Sequence, residues 1–333
     1  MMTQDILEQL YNEIPKAREE IYAVGQPTPL ESVSLNGDDF DIYIKREDLG
    51  PINAYKWRGG YNAVLNHHRQ TGCDTIVAAS AGNHAQGVAL AARKLGLKAK
   101  IFMPLAAPIM KQKAVERHGG DNVELILTGD TYNEAGEAAK AYVKETGYTY
   151  IHPFDDIYTM AGQAIIADEI VQESDAPFDY AFLQIGGGGM AGAVSAWLKK
   201  NWPDIKIIGV EGVDQACMGK SVAHGEAITL ESVDTFCDGT AVTRPGNWPY
   251  PSGHVYCAVK AFVKQFSLAL RADLNGTNIR VTNIEPGMAE TPFSLARFKG
   301  DAKKAEAVYA NTTPLTAEDV AESVVWAACL PAH

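Results

Sequence analysis

The sequence predicts an α/β fold, with parallel sheets covered by helices on both faces. Short β-branched and apolar runs alternate with longer amphipathic runs from about residue 74 onward. Strands that alternate with helices in this way usually pair in parallel. The chain has 333 residues, of which 46% are hydrophobic and 21% charged, which is ordinary for a protein with a full core. Because domains usually have roughly 100–200 residues, we expect two domains or one large one.

The predicted elements follow one another without an internal repeat. Pro108 stands at the start of one helix, where the missing N–H costs nothing. Thr316 and Asp319 have the spacing of a capping box, which opens a late helix expected to bury Val320, Val324, Ala327 and Ala328. Residues 243–253, rich in Pro, Gly and aromatic residues, resemble a linker. The predicted strands are 75–79, 98–103, 123–127, 180–185, 206–210 and 278–284, and the predicted helices are 85–95, 108–118, 133–145, 157–173, 190–200 and 255–273.

Charge and composition argue against several functional classes. The 29 Lys and Arg residues against 41 Asp and Glu residues give a formal net charge of -12, which disfavours a nucleic-acid or acidic-membrane surface. No apolar run approaches the roughly 20 residues that a membrane span needs, and the N-terminus is polar and acidic rather than signal-like. The five cysteines form no C-x-x-C pair. We therefore expect no disulfide scaffold, no structural metal and a cytoplasmic location.

Lys56 is the first candidate for chemistry. It lies between Tyr55 and Trp57, and a Schiff-base lysine needs such partly apolar surroundings because desolvation lowers its pKa. A surface lysine with a packed stem would show the same pattern, so this segment alone leaves both interpretations open.

A second candidate is the segment Ser80-Ala81-Gly82-Asn83-His84, between a predicted strand and a predicted helix. Backbone N–H groups at a helix start, together with Ser and Asn side chains, can hold an anion such as a carboxylate. A plain capping turn with a glycine for the bend is the alternative interpretation.

The third candidate is the run Gly186-Gly187-Gly188-Gly189, which precedes Met190 and the next predicted helix. Consecutive glycines cost backbone entropy, so they indicate that something approaches the backbone closely. A phosphate at the helix N-terminus would satisfy both the helix dipole and the free N–H groups. A flexible loop is the alternative, and the run matches neither the dinucleotide nor the mononucleotide motif.

Taken together and in order, these segments resemble the threonine ammonia-lyases, which are fold-type II pyridoxal-phosphate enzymes with a tryptophan synthase beta-like fold. The resemblance runs from about residue 3 to residue 246 and includes the segments 27–30, 45–48, 55–59 and 152–155. It implies that Lys56 forms the Schiff base with pyridoxal 5'-phosphate and takes the substrate Cα proton. It also implies cofactor contacts from Asn83, Gly186, Gly187, Gly188, Gly189 and Met190, and substrate-carboxylate contacts from Ser80, Ala81, Gly82 and His84.

The implied reaction converts L-threonine to 2-oxobutanoate and ammonia, as in isoleucine biosynthesis, with serine as a possible second substrate. The implied partner is therefore a small-molecule amino acid, and the implied assembly is a homo-oligomer, either a dimer or a tetramer. Related folds also perform serine racemization, serine dehydration and cysteine synthesis, and fold alone does not choose between them. No effector domain is expected after His333. Glu211 is expected to be a helix-end carboxylate, with a cation site as the alternative.

Residues 247–333 instead resemble the C-terminal third of a short-chain dehydrogenase/reductase, which makes the chain a chimera or fusion. The resemblance assigns Tyr256 and Lys260 to that family's Y-x-x-x-K pair, and a spacing of four puts them on one helix face. An NAD(P)-dependent dehydrogenase of 3-hydroxy acids is therefore an alternative function, and an inactive fusion is another. The expected division is a large domain of residues 1–45 and 150–246, a small domain of residues 46–149, and the tail.

Overall fold

The computed structural model describes residues 2–33, 41–233 and 239–246, with isolated positions 316, 318, 319, 321, 322 and 325. Three sheets are present in this part of the chain. The largest has four parallel strands in the order β5-β4-β3-β6, a second pairs β7 with β8 in parallel, and β1 pairs with β2 antiparallel. The strands are β1 Leu30–Val33, β2 Ile42–Lys45, β3 Thr75–Ala79, β4 Lys98–Met103, β5 Val123–Leu127, β6 Thr149–Tyr150, β7 Tyr180–Gln184 and β8 Lys206–Val210.

Helices connect these strands, so the predicted α/β class with parallel sheets is confirmed. Four of the described helices end at a left-handed glycine that no side chain crowds, namely Gly72, Gly96, Gly147 and Gly225. The helices are α1 Met2–Tyr22, α2 Lys56–Thr71, α3 Asn83–Leu95, α4 Ile109–Gly119, α5 Tyr132–Thr146, α6 Ile157–Glu173, α7 Gly189–Asn201 and α8 Cys217–His224.

Helix α1 was not predicted, although its apolar residues recur at helical spacing. Leu10, Ile14, Ala17 and Ile21 are all buried and pack in one cluster with Ala161 and other residues of α6. This cluster also holds Trp57 at the start of α2, whereas Tyr61 and the residues after it pack with β3 and α3. Helix α2 therefore contributes to two cores, and the predicted domain division stays a prediction.

Near the C-terminus, the predicted capping box is present. Thr316 Oγ1 accepts the N–H of Asp319 at 3.1 Å, and Asp319 Oδ2 accepts the N–H of Thr316 at 2.7 Å. The apolar residues that this helix was expected to bury lie outside the described residues, as do the elements predicted at 255–273 and 278–284.

No helix in the described residues is long and apolar enough to cross a membrane.

Candidate active site

Lys56 is the first residue of α2, directly after a turn in which Asn53 has a left-handed φ of 54°. A Cβ on Gly87 of α3 would lie 2.8 Å from the Lys56 carbonyl oxygen, so α2 and α3 can approach this closely only because residue 87 is glycine. Burial lowers the pKa of the Lys56 ammonium to about 8. Roughly a tenth of these side chains are therefore neutral amines at about pH 7, and the neutral amine is the form that attacks a carbonyl.

The segment Ser80–His84 leads from β3 into α3 and presents backbone donors. Gly82 is the N-cap residue, and no side chain caps this helix. Within the described residues, the N–H groups of Asn83, His84 and Ala85 have no acceptor, because the first bond into this turn runs from Gln86 to the Gly82 carbonyl. These donors lie at the positive end of the helix dipole, which suits a carboxylate.

The side chains of this segment differ in direction. The Asn83 side chain is exposed to solvent. His84 is buried, and its Nε2 lies 3.0 Å from the Ile151 carbonyl oxygen while Nδ1 has no partner. Burial, followed by the nearby Lys56 charge, lowers the pKa of His84 to about 3. A substrate carboxylate would therefore meet His84 through its backbone N–H rather than through its ring.

The tetraglycine segment lies between β7 and α7. Gly188 has a left-handed φ of 92° and is the N-cap residue of α7, which begins at Gly189. The N–H groups of Gly188, Gly189, Met190 and Ala191 have no acceptor among the described residues, since the first bond runs from Gly192 to Gly188 at 2.8 Å. Four unpaired donors at a helix N-terminus can hold a phosphate.

Close packing within the chain accounts for the glycines themselves. A Cβ on Gly187 would lie 2.4 Å from the ring of Phe154, and one on Gly189 would lie 2.2 Å from the Phe154 carbonyl oxygen. A Cβ on Gly186 would lie 3.1 Å from the Thr240 backbone. The glycine run was expected to allow the close approach of a phosphate, whereas the contacts that require glycine come from within the chain. The unpaired N–H groups, rather than the number of glycines, therefore indicate the anion.

Tyr55 connects the lysine to the core that contains α7. This residue directly precedes Lys56 and packs against the apolar cluster that includes Met190 and Ala191 at the start of α7. Because the charge on Lys56 also lowers the pKa of His84, the lysine lies near the start of α3.

Behind Lys56, Arg58 forms a buried ion network that the sequence analysis did not assign. The Arg58 side chain is fully buried and forms two hydrogen bonds to Glu47, at 2.9 Å each, and two to Glu169, at 2.6 and 3.0 Å. Lys45 Nζ lies 3.0 Å from Glu169 Oε2. The segments 27–30, 45–48 and 55–59 therefore meet in one charged cluster around Arg58, close in sequence to the lysine.

Glu211 directly follows β8, and its partly buried carboxylate lies at the N-terminal end of α8 rather than in solvent. Its carboxylate accepts the N–H groups of Met218 and Gly219, at 2.9 and 2.8 Å, in the first turn of α8. Among the residues that the structure describes, no group of three or more His, Cys, Asp and Glu side chains could hold a metal ion.

These residues fit pyridoxal phosphate. A partly neutral lysine is available for the aldehyde, unpaired N–H groups at α7 for the phosphate, and unpaired N–H groups at α3 for a substrate carboxylate. The site roles carried over from the resemblance remain proposals.

Comparison with known proteins gives two family matches. The family model "Pyridoxal-phosphate dependent enzyme" matches residues 21–263, and the model "short chain dehydrogenase" matches residues 242–301. The second match includes Tyr256 and Lys260, which lie outside the described residues, and supports the resemblance of the tail.

Individual relatives agree with the first match. The biosynthetic L-threonine dehydratase IlvA of Staphylococcus saprophyticus is 41% identical over 240 residues, covering 70% of this chain and 57% of that protein. The chain thus spans about half the length of the curated relatives it matches. The processed form of threonine deaminase isoform 2 from Solanum lycopersicum has a TM-score of 0.68 and 31% identity, covering 93% of this chain and 83% of that one. Maize serine racemase, with a TM-score of 0.68 and 23% identity over 95% of this chain and 97% of that one, shares the fold.

Proposed function

The chain belongs to the pyridoxal-phosphate dependent enzymes, and on that premise we propose that it dehydrates and deaminates L-threonine to 2-oxobutanoate and ammonia. The observation that carries the proposal is Lys56, whose lowered pKa and position close to the unpaired N-terminus of α3 match the needs of this reaction. The similarity to threonine dehydratases over residues of the same motifs supports threonine as the substrate.

In this proposal the three candidate segments, around Lys56, at the start of α3 and at the start of α7, divide the work of binding and proton transfer. The bound cofactor supplies a conjugated ring that withdraws electrons from the substrate Cα. Lys56 Nζ holds the cofactor aldehyde carbon and, once released by the substrate amine, accepts the Cα proton. The N–H groups at the start of α7 would hold the phosphate, and Asn83 would contact the ring hydroxyl.

The start of α3 binds the substrate. The N–H groups of Asn83, His84 and Ala85 hold its carboxylate, and the Ser80 hydroxyl, which accepts the N–H of Gly82 at 3.2 Å, keeps the segment in shape. Holding the carboxylate fixes the direction of the Cα–H bond toward Lys56, which is the positional advantage that a bound base needs.

The absorbance spectrum tests this function. We expect purified protein with pyridoxal phosphate to show a near-visible band that changes on addition of L-threonine, with 2-oxobutanoate as product. Lys56→Ala should abolish both the band and the product. A folded protein that stays colourless with excess cofactor would contradict the proposal, and turnover of serine but not threonine would contradict the substrate assignment.

We also propose that the protein acts in the cytoplasm as a homo-oligomer, a dimer or a tetramer, in support of amino-acid biosynthesis. The biosynthetic names of its relatives support the role in amino-acid biosynthesis. Light scattering of the holoenzyme tests the assembly, and a monomeric mass at working concentration would contradict it.

A further inference from the structure

His152 lies in the turn between β6 and α6 and has had no role so far. Its Nδ1 accepts the backbone N–H of Asp155 at 2.8 Å and that of Phe154 at 3.3 Å. Its carbonyl oxygen accepts the Thr159 hydroxyl at 3.0 Å, which ties the turn to the first residues of α6. The imidazole therefore closes the turn that carries Phe154.

Phe154 in turn supports the glycine segment. Its ring and its backbone occupy the space that side chains on Gly187 and Gly189 would need. The Phe154 ring also packs edge-on against the His152 ring, with centroids 4.8 Å apart. The Gly187 carbonyl oxygen also accepts the N–H of Gly246 at 2.9 Å. A shift of Phe154 would therefore move the backbone donors at the start of α7.

The hydrogen bonds require a particular protonation state of His152. An Nδ1 that accepts N–H groups must carry a lone pair, so the neutral ring holds its proton on Nε2. Burial lowers the pKa of His152; Asp155 and Asp156 oppose this effect, whereas Lys140 and Lys56 add to it. The ring is consequently neutral near neutral pH, so Nδ1 accepts both N–H groups. We call these two hydrogen bonds, from Phe154 and Asp155 to His152 Nδ1, the brace.

We infer that His152 is a positioning residue that sets the phosphate-binding geometry of the glycine segment through Phe154. This inference rests on the proposal that the glycine segment holds the cofactor phosphate. The effect of His152 on the phosphate runs through Phe154 and the glycine segment, so His152 is a positioning residue and Lys56 is the catalytic one.

The test compares two probes, pyridoxal phosphate and pyridoxal, which lacks the phosphate. Affinities are measured by absorbance titration of the cofactor-free protein and its variants. His152→Ala should weaken pyridoxal phosphate binding by about tenfold, the effect of losing roughly one hydrogen bond's worth of stabilisation. Pyridoxal binding should stay within about twofold of the wild-type value, because it does not depend on the phosphate donors.

The conservative variant is His152→Asn. An asparagine oxygen can accept the N–H groups two and three residues onward, as in an Asx turn. We therefore expect His152→Asn to retain most of the affinity and, unlike the wild type, not to lose the brace in acid. If His152→Ala does not fold in a thermal melt, His152→Gln replaces it, since its longer side chain displaces the acceptor.

The outcomes separate the two proposals. Equal affinity of the wild type for pyridoxal phosphate and pyridoxal would overturn the phosphate role of the glycine segment. A wild-type preference for the phosphate that His152→Ala leaves unchanged would overturn the His152 inference alone. Equal loss of both ligands would do the same, because it would show a general structural effect.

Discussion

Arg58 and Glu169 form a two-point ion pair inside the protein, with Nη1–Oε1 at 2.6 Å and Nη2–Oε2 at 3.0 Å. The side chains are 0% and 2% exposed. The pair joins α2 to α6, and the Thr28 N–H adds a further hydrogen bond to Glu169 at 3.2 Å. Because Arg58 stands two residues after Lys56, this pair anchors the beginning of the helix that carries the lysine.

Removing one partner of this pair should destabilise the fold strongly. Glu169→Gln leaves the Arg58 charge with one carboxylate fewer in the interior, and breaking a buried pair costs about 3–5 kcal/mol. The free energy of unfolding in urea measures the loss. The matched control is Glu124→Gln, which removes the partner of Lys100 at a site where the glutamate side chain is 62% exposed, and such surface pairs are worth about 0–1 kcal/mol. If the two variants lost the same small amount of free energy of unfolding, the buried network would not stabilise the fold more than a surface pair does.

Lys56 should react as an amine at lower pH than other lysines. With its pKa lowered to about 8 by burial, roughly a tenth of the side chains are neutral at about pH 7, against fewer than one in a thousand for an ordinary lysine. The measurement is the pH profile of amine acylation in cofactor-free protein, read by mass spectrometry. We expect the Lys56 profile to rise through about pH 8.

Lys16 serves as the internal control for this profile. It is exposed, and its hydrogen bond to Glu13 raises its pKa, so its acylation should begin only at higher pH. Coincident profiles for the two lysines would show that the pocket does not desolvate Lys56.

Much of the fold follows from local patterns in the sequence. The strands at 75–79, 98–103, 123–127 and 206–210 and helix α6 have the predicted bounds, because β-branched runs and amphipathic periods are local signals. Helix α1 was missed although Leu10, Ile14 and Ala17 repeat at helical spacing. Its many charged residues and its internal Pro15 obscured that signal.

The candidate site was only partly predictable for a related reason. Lys56 and the two helix starts could be located because strand–glycine–helix segments are continuous in the sequence. Arg58 and Glu169 are 111 positions apart, and no local pattern indicates that they pair. The packing of Phe154 on Gly187 joins separate segments in the same way. The glycine motif can therefore be recognised in the sequence, but the residue that packs against it cannot.

Gly187→Ala should impair cofactor binding more than it impairs folding. The new methyl group would lie 2.4 Å from the Phe154 ring, and such overpacking costs about 1–3 kcal/mol as the ring and the loop move apart. Affinity for pyridoxal phosphate, measured by absorbance titration, should fall. Adding Phe154→Leu should restore part of it by making room for the methyl group.

A second glycine provides the control for this substitution. Gly136 lies within α5, and nothing would come within 4 Å of a Cβ there. Gly136→Ala should therefore stabilise the helix by up to about 1 kcal/mol and leave cofactor affinity unchanged. If both alanine variants bind the cofactor with wild-type affinity, the close packing of Phe154 on Gly187 does not determine the cofactor-binding conformation of the glycine segment.

His84 should make the protein sensitive to acid. Burial lowers its folded-state pKa to about 3 from an ordinary value of 6.5, so below 6.5 the unfolded chain binds a proton that the folded protein refuses. The contribution of neutral His84 to the free energy of unfolding is therefore fully present above pH 6.5. It is lost progressively as the pH falls toward 3, by up to about 1.4 kcal/mol per pH unit.

The variant that tests this is His84→Gln, which cannot titrate, yet its amide can still donate to the Ile151 carbonyl. The measurement is the free energy of unfolding of both proteins across this range. The difference between the two free energies should stay constant above pH 6.5 and shift in favour of the glutamine variant below it. Parallel curves at every pH would show that the pKa of His84 is the same in the folded and the unfolded protein.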